Sequence, residues 1–286
     1  MQSIVTGADG FIGKKLVAKL ENSGYDVIPL KKEDGDLSLV NIKEIVSKDR
    51  KVNTLFHLAS KTFVPLSWNS PEDFINSNVA STLNILRFCR ENNTALIYLS
   101  AYIYGNQTSF PINENAKINP SNPYAHSKYL SEELCRFFSR VFDMDITILR
   151  PFNVYGPDQK KYFLIPEIIE QLKSGNKIKV NSFKPRRDYI YVDDLLTAII
   201  MASKKTSSLQ IYNVGSGKSI SVYELIQLMG EILGRDLDCQ EVNIERNKEI
   251  NNVIADISSA KRYLKWTPET NLKEGLAKTL SKEGLY

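Results

Sequence analysis

Short apolar runs alternate with longer segments of helical period through the first half of the chain. Residues 3–5 predict a strand, and 11–22 a helix with Ile12, Leu16, Val17 and Leu20 on one face. Further strands are expected at 25–30, 54–58, 95–100 and 145–149. The intervening segments read as a short helix at 41–47 and two long ones at 71–92 and 124–142. In the first long helix Phe74, Val79, Leu83, Leu86 and Phe88 are expected to face inward. Strands separated by helices need crossover connections, which predicts an α/β fold with a doubly wound parallel sheet.

After Pro151 the rhythm changes. A helix at 165–174, a short strand at 177–180 and a helix at 222–233 are expected, with 188–192 and 209–214 as further sheet strands. The tail, 235–286, reads as mixed and polar. This half predicts a smaller α+β lobe over the carboxyl ends of the strands, where such sheets bind ligands. The expected division is 1–156 for one unit, with a returning segment near 187–214, and 157–286 for the other. No repeat or flexible linker interrupts them.

Composition narrows the class. The chain has 286 residues, 42% hydrophobic and 24% charged, with a net charge of +4, as in an ordinary globular enzyme. No basic block suggests nucleic acid, and no apolar run approaches a membrane span. The start runs straight into a strand without a signal-peptide pattern. Cys89, Cys135 and Cys239 are odd in number and widely spaced, and His57 and His126 are the only histidines. This argues against a disulfide framework or a metal site and predicts a reducing, cytoplasmic setting.

Gly7, Gly10 and Gly13 lie between a strand and a helix. Missing side chains there permit a tight turn, close approach to a pyrophosphate and close helix packing, with helix N–H groups aimed at phosphate. The second strand ends in Lys31-Lys32, where an acid would ordinarily accept hydrogen bonds from the adenosine ribose of NAD. Lysine there favours NADP(H). NAD(H) stays open, because Glu33 and Asp34 follow at once and offer carboxylates. Asp36 and Leu37 are expected near the adenine.

Several further stretches complete a pattern. They are Phe56-His57-Leu58-Ala59-Ser60, Asn78-Val79, Leu99-Ser100-Ala101-Tyr102-Ile103-Tyr104-Gly105, Asn122-Pro123-Tyr124-Ala125 with Ser127-Lys128, and Leu149-Arg150-Pro151-Phe152-Asn153-Val154-Tyr155-Gly156-Pro157. Arg187-Asp188-Tyr189-Ile190-Tyr191-Val192-Asp193-Asp194-Leu195 and Tyr212-Asn213-Val214-Gly215 follow. With Thr6-Gly7-Ala8-Asp9-Gly10-Phe11-Ile12-Gly13, this ordered set resembles the extended short-chain dehydrogenase/reductase superfamily, in its nucleotide-sugar epimerase, dehydratase and reductase branch. The resemblance covers essentially the whole chain and implies a Rossmann-type sheet with a smaller substrate-binding lobe.

The resemblance also implies roles. Tyr124 would be the general acid or base, Lys128 would hold the nicotinamide ribose and its charge, with that of the oxidised nicotinamide, would lower the tyrosine pKa, and Ser100 would hydrogen-bond the reacting oxygen. The cofactor would be held by Gly7, Gly10, Phe11, Ile12, Gly13, Lys31, Asp36, Leu37, Leu58, Ala59, Ser60, Asn78, Tyr124, Lys128, Pro151 and Val154. Thr62, Ser100, Tyr102, Asn153, Arg187 and Arg246 would face a nucleotide-diphosphate sugar, the arginines suiting a diphosphate by their forked geometry.

One departure narrows the chemistry. The 4,6-dehydratases of this branch carry Thr-Asp-Glu where this chain has Ser100-Ala101-Tyr102, so water elimination lacks its acid and base. The favoured expectation is reduction of the C4 ketone of an NDP-4-keto-6-deoxyhexose by NADPH, with Tyr124 as proton donor. The alternatives are an NAD-dependent NDP-hexose 4-epimerase and a non-catalytic dinucleotide-binding subunit. The two long helices are expected to pair across a two-fold axis in a homodimer.

Overall fold

The computed structural model describes residues 1–46, 51–205, 207–243 and 249–286. In chain order the first half holds β1 (Gln2–Thr6), α1 (Phe11–Asn22), β2 (Asp26–Leu30), α2 (Ile42–Ile45), β3 (Thr54–His57) and α3 (Val64–Asn69). It continues with α4 (Pro71–Ile75), α5 (Ser81–Asn92), β4 (Ala95–Leu99), α6 (Pro123–Phe142) and β5 (Ile146–Pro151). These strands form a six-stranded sheet in the order β10-β5-β4-β3-β1-β2, completed by β10 (Leu209–Val214). Every neighbouring pair is parallel. The chain steps from β1 to β2 on one side and then crosses to β3 on the other. The reversal opens a crevice at the carboxyl ends of β1 and β3, the usual ligand position in such sheets. Pro29 lacks an N–H and sits on the outer strand β2, where the ladder tolerates it.

The sheet is covered on both faces. One core gathers Leu16, Leu20, Phe56, Leu149, Leu195 and Ile199, and the other Ile4, Leu55, Ile85, Leu86, Phe138 and Ile146. The long helix expected over 71–92 is present but carries a π turn at Asn76–Ala80. The extra residue in that turn rotates the downstream face. Ile85, Leu86, Phe88 and Cys89 therefore point inward, and Leu83, expected inside, is 38% exposed.

The second half contains β6 (Asn153–Tyr155), α7 (Leu164–Lys173), β7 (Ile178–Val180), β8 (Arg186–Arg187), β9 (Tyr189–Tyr191) and α8 (Val192–Ser203). Beyond β10 come β11 (Ile220–Ser221), α9 (Val222–Leu233), β12 (Cys239–Glu241) and α10 (Leu272–Lys282). Three two-stranded ladders, β6 with β9, β8 with β11 and β7 with β12, assemble this part.

Here the expectation for 188–192 needs correction. The strand is real but pairs with β6 outside the main sheet, and Val192 starts a helix. That helix escaped the sequence reading because its apolar residues are not confined to one stripe. It packs on α1 as well as on β4 and β5, so Val192, Leu195, Leu196, Ala198, Ile199, Ile200 and Ala202 are all buried. The described residues of the polar-looking tail also pack on the rest of the chain. Trp266 is buried and donates Nε1–H to the Asp194 carbonyl at 3.0 Å, and the Asp194 carboxylate accepts the backbone N–H groups of Glu269 and Thr270.

Candidate active site

At the crevice, β1 ends in the glycine turn. Gly7 has φ +67°, and a Cβ added there would lie 2.9 Å from the Ala59 backbone. A Cβ on Gly13 would fall 2.0 Å from the Gly7 carbonyl oxygen, so α1 presses on the turn as only glycine permits. Gly10 caps α1 without any side-chain hydrogen bond. The free N–H groups of a twelve-residue helix thus face the crevice, which fits a dinucleotide pyrophosphate. Phe11 and Ile12 are partly buried on the first turn.

Beyond β2, Asp9, Lys31, Lys32 and Glu33 line one cleft. Lys31 pairs with Glu33 at 3.2 Å, and Asp34 accepts the Lys31 backbone N–H. Both charge signs are therefore present. Asp36 is exposed and is held below the usual carboxylate range by hydrogen bonds from Ser38. Leu37 is buried, with its carbonyl accepting from Asn84.

A buried polar strut ties this turn to α6. Thr6 Oγ1 accepts from the N–H groups of Leu58 and Ala59 and meets His57 Nδ1 at 2.8 Å. His57 Nε2 meets Thr82 Oγ1 at 3.3 Å, and Thr82 donates to the Asn78 carbonyl. Burial, aided by the Lys128 charge, pushes the imidazole down to about 3. The ring is thus neutral, and a single tautomer with its proton on Nε2 satisfies the whole chain. The Asn78 side chain accepts the Lys61 N–H and donates to the Lys61 carbonyl and to Ser127 Oγ. Ser60, between these groups, donates to the Lys61 carbonyl.

The chemistry-bearing stripe starts where Asn122 caps α6 by accepting the Ala125 N–H at 2.8 Å, with Pro123 in the first turn. Tyr124, Lys128 and Glu132 follow at four-residue spacing on the face toward the sheet. Tyr124 keeps some surface but is enclosed enough that burial pushes its phenol above its ordinary value. Lys128 is 3% exposed, donates to the Leu99 carbonyl at 2.8 Å and lies over the Tyr98 ring. Burial pushes it down to about 7, with Glu132 opposing. Among the protein's own groups, burial is what sets the direction of the Tyr124 shift.

Ser100 stands just beyond β4, anchored by its N–H to the Leu149 carbonyl. Its hydroxyl donates to Glu132 Oε1 at 2.6 Å. Glu132 is gripped by Arg150, through Nε at 2.9 Å and Nη2 at 2.5 Å, and both side chains are fully buried. Arg150 also donates to the Tyr104 hydroxyl, which donates to Asn213 Oδ1. The sequence reading gave no role to Glu132, Arg150 or His57. The signal for Glu132 was present: a charge four residues past Lys128, on a helix face otherwise of small and apolar residues.

The remaining predicted residues lie on other strands and loops. Pro151 is buried at the end of β5, Val154 is partly buried in β6, and Leu58 and Ala59 follow β3. Thr62 is exposed ahead of α3. Tyr102 packs edge-on against Tyr104 and Phe152 and donates its hydroxyl to the Gly105 carbonyl at 2.5 Å. Asn153 donates its side-chain amide to the Asp188 carbonyl. Arg187 donates to the Ile250 carbonyl and pairs with Glu249 at 3.4 Å. Arg246 lies outside the described residues. Among the described residues no cluster suits a metal ion.

Residues 3–215 match the family described as NAD dependent epimerase/dehydratase family. The chain belongs to that family. The sheet order, the glycine turn and the Tyr124–Lys128 stripe accordingly place it in the extended short-chain dehydrogenase/reductase superfamily, with a Rossmann-type fold.

Its relatives include both epimerases and a reductase. A putative UDP-glucose 4-epimerase of Methanocaldococcus jannaschii is 31% identical, over 97% of each chain. A GDP-6-deoxy-D-mannose reductase of Pseudomonas aeruginosa is 29% identical, over 97% of this chain and 95% of that one. Among solved structures, the UDP-glucose 4-epimerase of Thermotoga maritima with UDP-glucose superposes with a TM-score of 0.91 at 28% identity, covering 99% and 98% of the two chains. MoeE5 in complex with UDP-glucuronic acid and NAD gives 0.90 at 25% identity, with the same coverage. A nicotinamide dinucleotide is the cofactor of the family by its description. No helix of the described residues is long and apolar enough to cross a membrane.

Proposed function

We propose that this protein is an NAD-dependent 4-epimerase of a nucleotide-diphosphate hexose, with a UDP-hexose as the first substrate to test. The observation that carries this is the Ser100, Tyr124, Lys128 constellation beside the glycine turn, in a chain that aligns end to end with 4-epimerases. Elimination chemistry finds no donor here. Ala101 has no titratable group, and Tyr102 spends its hydroxyl on a backbone carbonyl.

In this reading residues 1–156, with the return near 187–214, hold the dinucleotide, and 157–286 hold the nucleotide sugar. Gly7, Gly10, Phe11, Ile12 and Gly13 cradle the pyrophosphate. Lys31, Asp36 and Leu37 border the adenosine. Leu58, Ala59, Ser60, Asn78, Pro151 and Val154 flank the nicotinamide half. A bound nicotinamide supplies the acceptor and donor of hydride. Tyr124 takes the proton from the C4 hydroxyl and returns it. Lys128 holds ribose hydroxyls and provides the positive charge that favours phenolate. Ser100 fixes the C4 oxygen, with Thr62, Tyr102, Asn153 and Arg187 around the sugar and diphosphate.

The second reading is an NADPH-dependent 4-ketoreductase, favoured by Lys31 and Lys32 on the cofactor cleft and by the reductase relative. One experiment separates the two. Purified protein is denatured, its released dinucleotide identified, and native protein incubated with UDP-glucose. Retained NAD and appearance of the C4 epimer support the epimerase. An empty protein that consumes NADPH with a 4-keto-6-deoxy sugar nucleotide overturns it.

A further inference from the structure

The segment that follows β6 touches the helix layers on both faces of the sheet. At one end the Asp158 carboxylate accepts from Lys15 Nζ of α1 at 2.8 Å. At the other, the Tyr162 ring lies 4.3 Å from the ring of Phe63, the residue that caps α3. The helix α1 packs with α8 on one face, and α3 packs with α6 on the other. The chain between the two contacts therefore crosses the carboxyl edge of the sheet, where the crevice opens. Lys15 stands one turn beyond Phe11, in the helix whose free N–H groups face the pyrophosphate place. Phe63 stands three residues beyond Ser60, on the loop that leaves β3. The two anchors bracket the dinucleotide place.

This crossing has little slack. Only Gln159, Lys160 and Lys161 lie between the anchored residues. Gln159 donates its side-chain amide to the Val154 carbonyl at 2.9 Å, which ties the middle down. The hydrogen bond from Lys15 holds the Asp158 carboxyl below the usual carboxylate range, and the charges of Lys282 and Lys14 add to the attraction. Asp158 has φ +69°, a conformation that aspartate tolerates better than most residues.

We propose that residues 157–163 form a strap that retains the bound dinucleotide, clasped by Lys15 with Asp158 at one end and by Phe63 with Tyr162 at the other. The proposal rests on the dinucleotide reading of the crevice and deepens it. Cofactor leaves only when the strap lifts, and lifting breaks both contacts. Such retention suits an epimerase, whose dinucleotide must stay to return the hydride it has taken.

The test reads release of cofactor, separately from turnover. Protein saturated with NAD is mixed with excess NADH, and the rise of bound-NADH fluorescence gives the rate of NAD release. NADP and NADPH are used where those bind instead. Lys15→Met and Asp158→Asn are each expected to speed release about 3-fold, within the range of an exposed ion pair. The double variant is expected to be no faster than either single one, because both remove the same pair. Lys15→Arg keeps the charge and is expected to stay within about 2-fold of wild type. Tyr162→Ala is expected to speed release about 5-fold through the lost ring contact, and about 15-fold together with Asp158→Asn. Salt raised from about 0.02 M to about 0.5 M is expected to speed the wild type and leave Asp158→Asn nearly unchanged.

Unchanged release in Asp158→Asn and Tyr162→Ala overturns the strap. So does a Lys15→Met effect that multiplies with that of Asp158→Asn, since the two side chains would then act separately. Epimerisation of UDP-glucose by the unmutated protein is followed in parallel. Its absence, with the release effects intact, rejects the epimerase and keeps the strap, whereas failure to bind any of the four dinucleotides rejects both.

Discussion

The neutral imidazole of His57 makes a quantitative demand on acid stability. Its folded-state value is about 3, against an ordinary 6.5 in the unfolded chain. Between these limits the unfolded chain binds a proton that the folded protein refuses. The stabilisation is therefore fully present above pH 6.5 and is lost as pH falls toward 3. Well below pH 6.5 each pH unit crossed costs about 1.4 kcal/mol, so lowering the pH from 6.5 to 4.5 removes about 2.3 kcal/mol through this one side chain. That is a large share of the roughly 5–15 kcal/mol that holds a domain folded.

The perturbation is His57→Gln, which keeps a donor and an acceptor near Thr6 and Thr82 but cannot titrate. Equilibrium urea unfolding of both proteins at several pH values from 4.5 to 7 gives the comparison. Other groups that titrate in this range act on both proteins and cancel in the difference. The variant is expected to be less stable at pH 7 and to close the gap with wild type by about 2.5 kcal/mol at pH 4.5. Parallel stability curves would show that His57 does not gain its proton on unfolding, and the tautomer assigned to the strut would fall with it.

Lys128 obeys the same logic at higher pH. Its folded value near 7 lies below that of an ordinary lysine, so the cofactor-free protein is expected to gain stability as pH rises from 7 toward 10, and Lys128→Met, followed by urea unfolding, is expected to flatten that rise. Tyr124→Phe is expected to lower kcat by about 10²–10⁴-fold with dinucleotide affinity nearly unchanged, read by steady-state kinetics and fluorescence titration. Gly13→Ala, whose Cβ would sit 2.0 Å from the Gly7 carbonyl, is expected to abolish dinucleotide binding and lower the Tm. The proposed homodimer is tested by sedimentation: wild type is expected at twice 32.5 kDa, and Phe137→Glu, on the exposed row Phe137, Val141 of α6, at the monomer mass.

The first half of the fold was legible because its helices are amphipathic and its strands are short apolar runs. The bounds of α1 and of α9 match those expected from hydrophobic period, 11–22 and 222–233. What escaped was set by tertiary contact. The α8 stretch is buried on more than one side, so its period is blurred, and 188–192 read as part of the main sheet because nothing in its own residues says which partner it pairs with. Leu83 turned outward because a π turn is invisible to a 3.6-residue period. In the site, Gly7, Gly13, Ser100, Tyr124 and Lys128 announce themselves by residue type and order. Glu132, Arg150 and His57 act through distances of 2.5–2.9 Å between segments far apart in sequence, and no local pattern encodes those.

The outermost strand on one side of the sheet, β10, arrives late. It lies parallel to β5, with Leu209 opposite Ile146 and Val214 opposite Pro151, yet the whole stretch from β6 to the end of α8 is synthesised between them. Until residue 214 has left the ribosome, β5 has an open row of backbone donors and acceptors, in a strand buried along its whole length in the finished protein. Closing that gap costs loop entropy before any contact repays it, which slows the step and lengthens the exposure. A nascent chain stalled short of β10 therefore has a sticky apolar edge, open to self-association until that strand docks.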